Sequence, residues 1–357
     1  MSRSWSRRVA QLALVAVLAA MALLVVSPPA MACACGGVVN QPGRSTTVTG
    51  ETALITQHAG RETIVMSLSA RSDAARAGLL VPTPAPATPS LADRDVFTDL
   101  DRQTAPRQKV RHHFFGPPVI FGGDHDDSTG NAAGAKAPGG VHVLGTVDLG
   151  PLQAVSLTAN DAGDLHSWLA KRGFVMSPEF ESLVTPYLKQ SWAFTAMTLT
   201  AEGKSLNGDL PPVRLNFASD RLVYPMRMSR GAKETQHVTT YVLADHRVRR
   251  TDPTATQGQL STEYAARVRP SLVTSADLKA LSAGQPWLTE ITQTLDEPTT
   301  QVRSDFSFAA AAHDTPVVSY DYTDEYFVPI DVAVLLVLVV GGLAAGVVLL
   351  VRRQRAS

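Results

Sequence analysis

The stretch TTVTGETALITQHAGRETIVMSLS, residues 46–69, carries two segments of alternating hydrophobicity. Apolar and polar side chains alternate along both halves, most regularly at Ile64, Met66 and Leu68. A period of two is typical of a β-strand with one buried face. The residues HAGR at 58–61 separate the halves and include the glycine that a tight turn favours. We therefore predict a β-hairpin.

Shorter apolar runs with a strand-like pattern follow along the chain. The run at 79–81 leads into PTPAP at 82–86. Because proline cannot donate a backbone hydrogen bond, this strand is expected at a sheet edge or where the chain leaves a sheet. The other predicted strands are 109–115, 141–143, 147–149, 152–157, 192–200, 212–217, 238–243 and 302–308.

Several segments have helical spacing instead, with apolar side chains three and four positions apart. The sum is an α+β fold of mixed, mainly antiparallel sheets with a few packed helices. Between two predicted strands, residues 116–140 are rich in glycine, proline, aspartate and alanine, which predicts a long flexible loop where two lobes could meet. The predicted helices are 91–103, 161–171, 178–187, 262–268 and 276–281.

The first 32 residues are organised like a secretory signal peptide. Three arginines among the first eight residues precede an apolar run at 9–26. Ala30 and Ala32 place small residues at the positions that a signal peptidase reads, so cleavage is expected after Ala32. An uncleaved anchor helix, or lipidation at Cys33, is an alternative.

The C-terminal end predicts a membrane anchor. From Val332 to Val351 the chain contains only valine, leucine, alanine and glycine. Twenty helical residues span about 30 Å, the thickness of the hydrocarbon core. Arg352 and Arg353 follow directly, which places the tail at 352–357 in the cytoplasm and the domain at 33–308 outside it. Residues 309–331 are predicted to form a polar stalk between this domain and the anchor.

Composition excludes some classes of function. With 32 basic and 32 acidic side chains the chain has no net charge, so nucleic-acid binding is disfavoured. Its two cysteines, Cys33 and Cys35, lie at the predicted mature N-terminus, and the large domain therefore has no disulfide framework. A structural or redox-labile disulfide is the first interpretation of this pair. A bridge to another chain, a soft metal and a lipid are alternatives.

Imidazole and carboxylate side chains form one candidate metal site, because both groups are ligands of divalent ions. Its acidic members lie in the predicted loop, where a mobile ligand binds weakly. A second acidic segment at 321–326 could bind cations or a partner, although a solvated spacer is the simpler interpretation. The candidate metal ligands are His113, Asp124, His125, Asp126 and His142.

Motifs of known catalytic sites do not occur in the chain. There is no nucleophile elbow, no zinc-protease HExxH, no P-loop and no dinucleotide fingerprint, so we predict no catalytic residue and no cofactor. Trp168, Trp192 and Trp287 could line a carbohydrate platform, but their spacing favours core positions.

A series of short motifs between Cys33 and about Ser229 resembles, in order and spacing, the bacterial domain of unknown function family 2330. The resemblance implies an exported bacterial protein and supports the predicted architecture. It supplies no catalytic residues, since the motifs are packing and turn signatures. They are the cysteine-containing entry at Cys33, VPTP at 81–84, DVF at 95–97, DLHSWLAKRGF at 164–174, Tyr187, SWAF at 191–194, PVRLNF at 212–217 and YPM at 224–226.

Three functional hypotheses follow. The first is a noncatalytic extracytoplasmic module of the cell envelope, tethered by its C-terminal helix, that binds or senses an envelope protein or a glycan. The second is a membrane-tethered, metal-dependent hydrolase that uses the histidine and aspartate cluster. The third is a structural envelope protein that forms a homodimer, because Gly342 and Gly346 have the small-xxx-small spacing that lets two membrane helices approach closely.

Overall fold

A computed structural model describes residues 36–116, 142–148, 152–200 and 208–355. The predicted signal peptide, Cys33, Cys35 and residues 117–140 of the predicted loop lie outside these ranges. The strands are β1 (Gly37–Asn40), β2 (Thr46–His58), β3 (Arg61–Ser72), β4 (Arg76–Thr83), β5 (Thr88–Leu91), β6 (Arg107–Gly116), β7 (His142–Asp148), β8 (Leu152–Thr158), β9 (Ala193–Thr200), β10 (Gly208–Asp209), β11 (Val213–Ala218), β12 (Val223–Tyr224), β13 (Gln236–Ala244), β14 (Val248–Arg250), β15 (Gln259–Arg267), β16 (Trp287–Leu295), β17 (Phe306–Ala310) and β18 (Tyr320–Pro329).

Six helices accompany these strands in the described part of the chain. The predicted mixed α+β class with mainly antiparallel sheets is confirmed. The helices are α1 (Asp95–Thr104), α2 (Ala162–Ala170), α3 (Pro178–Leu188), α4 (Ala276–Leu281), α5 (Pro298–Gln301) and α6 (Ile330–Gln354).

The predicted hairpin is confirmed. β2 and β3 are antiparallel, and the pair His58 and Arg61 closes the ladder. The two residues between them, Ala59 and Gly60, both have positive φ angles, 49° and 74°. Two positive φ angles in a two-residue loop give the type I′ geometry, whose twist matches that of the flanking strands.

Two large sheets lie face to face between layers of helices. One has the strand order β15-β16-β13-β2-β3-β11-β5, with β10 also paired to β3, and the other has the order β1-β4-β9-β8-β7. Successive side chains of a strand point to opposite faces of the sheet, so they pack in different hydrophobic cores, one between the two sheets and one on the outer face. Met66 of β3 and Val81 of β4 pack between the sheets, whereas Val65 and Leu80 face outward.

The outward faces of both sheets are covered by helices. Leu165 of α2 and Phe180 of α3 pack on the five-stranded sheet. Leu100 of α1 and Leu278 of α4 pack on the eight-stranded sheet. The architecture is therefore a four-layer sandwich of helices, sheet, sheet and helices.

A small third sheet, β12-β17-β14, closes one side of the inner core. Phe306 and Phe308 of β17 pack there. Arg250, at the end of β14, forms a buried ion pair with Asp252, and its Nη1 donates to Gln293 of β16 over 3.0 Å. This ion pair therefore joins the small sheet to the eight-stranded one.

Residues 262–268 were expected to be helical, and this prediction is wrong. Residues 262–267 lie in β15, an edge strand antiparallel to β16. Glutamate and alanine favour helices, but intrinsic propensity is weak against a ladder of backbone hydrogen bonds. Burial of Tyr264 and Ala266 in the outer core adds to the strand conformation.

The proline at the end of β4 lies where the sheet is open on one side. β4 runs between β1 and β9, but its pairing with β1 reaches only Leu80. Among the described residues, Pro82 therefore has a neighbouring strand only on the β9 side, opposite Phe194. This local edge accommodates a residue without a backbone N–H.

Candidate functional site

β6 and β18 form a separate two-stranded parallel sheet, which we call the ribbon. It starts at the pair Arg107 and Tyr320 and ends at the pair Gly116 and Pro329. Ten residues per strand correspond to about 33 Å at 3.3 Å per residue. β6 comes directly after α1, and β18 leads directly into α6. The segment predicted to be a polar stalk at 309–331 thus contains a strand.

Cation–π contacts cross the ribbon between its two strands. Lys109 Nζ lies 3.6 Å from the ring centre of Tyr320, and Arg111 Cζ lies 3.5 Å from that of Tyr322. Each such contact contributes about 0.5–1 kcal/mol at an exposed site. Because an isolated pair of strands is only marginally stable in water, these contacts carry a large share of the ribbon's stability.

Histidine and carboxylate pairs lie next along the ribbon. His112 Nδ1 is 3.2 Å from Glu325 Oε2, and His113 Nε2 is 2.9 Å from Asp324 Oδ1. All four side chains are exposed. The acidic segment at 321–326, predicted from sequence as a possible cation or partner site, thus provides the partners of both histidines.

The two predicted metal ligands that the structure describes, His113 and His142, lie in different sheets. Asp124, His125 and Asp126 lie outside the described residues, and His142 opens β7 in the five-stranded sheet, whereas His113 belongs to the ribbon. Among the residues that the structure describes, no group of three histidine, cysteine or acidic side chains could hold a metal ion. The metal site therefore stays a prediction.

Aromatic side chains are concentrated at the end of the ribbon next to α6. Phe114 is 67% exposed, Phe327 is 71% exposed and Tyr326 is 45% exposed. The ring centres of His113 and Tyr326 are 5.3 Å apart, and those of His112 and Phe327 are 6.2 Å apart. An apolar, ring-bearing surface therefore precedes the helix.

The helix α6 is the one helix of the described ranges that is long and apolar enough to cross a membrane. Within its segment Ala333–Gln354 an 18-residue stretch has a mean hydropathy of 3.0, and none of that stretch is buried. An apolar surface of this size is normally covered by a partner or a membrane. Arg352 and Arg353 lie in its last turn. A Cβ built on Gly342 or Gly346 meets no atom within 4 Å, so this face of the helix is open.

The three tryptophans weighed as a sugar platform are core residues. Trp168 and Trp192 belong to the core between the five-stranded sheet and its helices. Trp287, at the start of β16, is buried as well. Their indole faces are therefore not open to a glycan.

Asp305 is a residue that the sequence analysis missed. Its Oδ1 accepts hydrogen bonds from the Tyr187 hydroxyl at 2.5 Å and from the backbone N–H of Met226 and Arg227, and its Oδ2 is 2.7 Å from Arg227 Nε. Burial raises the pKa of Tyr187, and the charge of Asp305 raises it further. Two of the motifs that carry the family resemblance thus meet at one carboxylate, and their role is to hold the fold together.

Replacing Tyr322 by alanine is expected to speed backbone hydrogen exchange in the ribbon. The loss of about 0.5–1 kcal/mol of cation–π attraction corresponds to exchange that is about two- to fivefold faster. Mass spectrometry of the peptide covering β6 measures this. Tyr322→Phe keeps the ring face and is expected to exchange like the parent. Equal exchange in all three proteins would show that the contact does not stabilise the ribbon.

Comparison with known proteins gives one family match. A family model described as "Uncharacterized protein conserved in bacteria (DUF2330)" matches residues 29–309. No curated protein matches the chain. Among solved structures, the crystal structure of baculovirus P35 is similar at 7% identity and a TM-score of 0.35, covering 78% of this chain and 98% of that one.

Proposed function

The chain belongs to the DUF2330 family of uncharacterized proteins conserved in bacteria, and from this premise we propose that it is a single-pass membrane protein whose α+β body is a noncatalytic binding or sensing module outside the cytoplasm. The observation that carries the proposal is the exposed apolar helix α6, which continues from the ribbon. A helix of this hydropathy, with no covering surface in the described structure, is stable when lipid surrounds it.

The orientation is proposed from the charges at the two ends of α6. Arginines at 352, 353 and 355 follow the apolar run, and basic residues are retained on the cytoplasmic side of a membrane helix. The α+β body then lies on the opposite side. A cleaved signal peptide at 1–32 is the matching proposal for the other end of the chain.

The noncatalytic part of the proposal is supported by how the body uses three of its carboxylates. The carboxylates of Asp305 and Asp252 each accept several hydrogen bonds from their own chain, and Asp99 accepts from Thr274 and Ser275 in the same way. Carboxylates whose oxygens accept hydrogen bonds from their own chain hold elements of the fold together and are not available to bind a substrate. On the ribbon, the exposed Arg111 and Tyr322 are side chains of the kind that protein interfaces use.

Ending the chain after Pro329 is expected to release the protein from the membrane. Without α6 no described segment is apolar enough to hold it in lipid, so the truncated protein should be found in the soluble extracytoplasmic fraction and the full chain in the membrane. Fractionation with a tag after Ser357 of the full chain measures both location and orientation. Protease access to that tag in intact cells would contradict the proposed orientation.

The metal content of the purified full chain tests the alternative that the protein is a metal-dependent hydrolase. Stoichiometric metal in the full chain, lost in a variant with His113→Ala and Asp126→Ala, would support a metal-dependent enzyme. Absence of retained metal in both proteins agrees with a binding module.

A further inference from the structure

We propose that the aromatic end of the ribbon, formed by Phe114, Tyr326 and Phe327, is a lipid-contacting surface that lies in the headgroup layer of the outer leaflet. The body would then touch the membrane through two strands, although only β18 is continuous with the anchor. This inference rests on the membrane anchor proposed above.

The parallel register brings the two strands to the same depth. His113 pairs with Tyr326, and Phe115 pairs with Val328, so Phe114 lies level with Phe327. In sequence Phe114 is far from the anchor, and nothing in its own neighbourhood marks it as a membrane residue. Its place beside the anchor follows from the pairing of β6 with β18, and α6 contacts the ends of both strands.

The length of α6 sets the depth of these rings. From Val332, the first residue after Asp331, to Val351 a helical rise of 1.5 Å per residue gives about 30 Å, which matches the hydrocarbon core. Phe327 precedes Val332 by two helical and three strand residues, at most about 13 Å. The headgroup layer adds about 5–8 Å on each side of the core, and a phenylalanine ring can reach back into it.

The distribution of exposed rings points to lipid as the occupant. Where the structure describes exposure, every exposed phenylalanine, tyrosine or tryptophan lies on the ribbon, and three of the four lie at its end beside α6. Tyrosine and tryptophan are enriched at membrane–water interfaces, because the ring leaves water while its polar group stays hydrated. Phenylalanine rings are found on the apolar faces of segments that lie at this interface. The exposed face of α6, which includes Val334, is apolar as well. A bilayer covers both surfaces at once.

Photocrosslinking of the full chain in vesicles of phosphatidylethanolamine and phosphatidylglycerol tests the inference. p-Benzoylphenylalanine replaces Phe114, Phe327 or, as the control in the body, the exposed Val175. Because the probe retains the phenylalanine ring, the first two variants should fold like the parent. Lipid adducts are expected at positions 114 and 327 and not at 175.

Each other outcome overturns the inference. Adducts between two copies of the chain would assign the surface to a homodimer, and adducts with neither lipid nor protein would show a ring that stays in water. Adducts at all three positions would show nonspecific contact with vesicles.

Flotation of the same vesicles separates this inference from the proposed anchor. If the full chain does not float with the vesicles, the anchor itself is wrong. If the chain floats and position 114 gives no lipid adduct, the anchor stands and only the lipid contact of β6 fails.

Discussion

Replacing Asp252 by alanine is expected to lower the free energy of unfolding by about 3–5 kcal/mol, because it leaves the Arg250 guanidinium buried without its counter-charge. The two side chains are joined by two hydrogen bonds, Nε to Oδ2 at 2.6 Å and Nη2 to Oδ1 at 2.8 Å, and both are almost fully buried. Folded proteins are commonly stable by about 5–15 kcal/mol, so the loss is a large fraction of the total.

The surroundings of the pair explain why the loss is large. Burial alone would raise the pKa of Asp252, but the hydrogen bonds and charge of Arg250 outweigh it and hold the pKa below its usual value. Arg250 Cζ also lies 3.2 Å from the ring centre of Phe306. Without the carboxylate, Ser307 N–H loses an acceptor at 3.0 Å as well.

Urea unfolding of the full chain in mild detergent, followed by tryptophan fluorescence, measures the effect. Asp220 is exposed, and Asp220→Ala is the matched control, expected within about 0.5 kcal/mol of the parent. The double variant Arg250→Met with Asp252→Ala should be less destabilised than the single variant, because it removes the isolated charge. A single variant as stable as the Asp220→Ala control would refute the role of the pair.

Replacing Glu62 by glutamine is expected to remove one fall in stability, of about 1.4 kcal/mol per pH unit, between about pH 5 and pH 8. Glu62 is fully buried, and burial raises the pKa of its carboxyl to about 8. Oε1 accepts from the backbone N–H of Val223 at 2.8 Å. Oε2 has no hydrogen-bond partner among the described residues, since the neighbouring Ser219 hydroxyl donates to the carbonyl of Arg221 at 2.6 Å.

The sign follows from proton binding in the two states. At a pH well below 4.5, the ordinary pKa for Glu62, both states are protonated and the group makes no difference to the pH dependence of stability. As the pH rises from there to about 8, the unfolded chain loses the proton while the folded chain keeps it. The free energy of unfolding therefore falls by about 1.4 kcal/mol per pH unit over this window. Above the folded-state pKa the fall stops.

Unfolding curves at several pH values measure the slope. The Glu62→Gln variant should lack this contribution of about 1.4 kcal/mol per pH unit. Glu234 is exposed, and Glu234→Gln should keep the parent slope. Equal slopes in the parent and the Glu62→Gln variant would contradict a neutral carboxyl at this position.

The elements that could be predicted from sequence are those whose signal is local. The hairpin at 46–69 carries its alternation and its turn together, and the helices α2 and α3 begin at side chains that cap them, Asp161 and Ser177. The signal for the apolar helix is equally local, because its amino-acid composition alone predicts a helix that lies in lipid. These segments need no distant partner to adopt their structure.

The parts that were missed depend on distant partners. β15 has helix-forming residues and becomes a strand because β16 lies beside it. β16 itself was not predicted, although its buried and less buried residues alternate over most of its length. Asp305 could not be chosen from sequence, since its partners Tyr187 and Arg227 are brought to it by the fold.

The candidate site was predicted only in part for the same reason. His113 and the acidic segment at 321–326 were each noticed, but their contact needs the pairing of β6 with β18. Both strands are rich in polar residues, so hydrophobic periodicity did not show that one is the partner of the other. Parallel pairing leaves no local turn as a marker, whereas an antiparallel hairpin does.

Pairings over long sequence distances also fix the order in which this chain can fold. β2 pairs with β13 in parallel, and β6 pairs with β18. Strands that are synthesised early can therefore pair only after strands that are synthesised much later. Closure of such large loops is slow and leaves strand edges unpaired in the meantime. Because β18 is followed immediately by α6, the ribbon can close only when synthesis has reached the last helix. A growing chain therefore needs protection from aggregation until β18 has emerged.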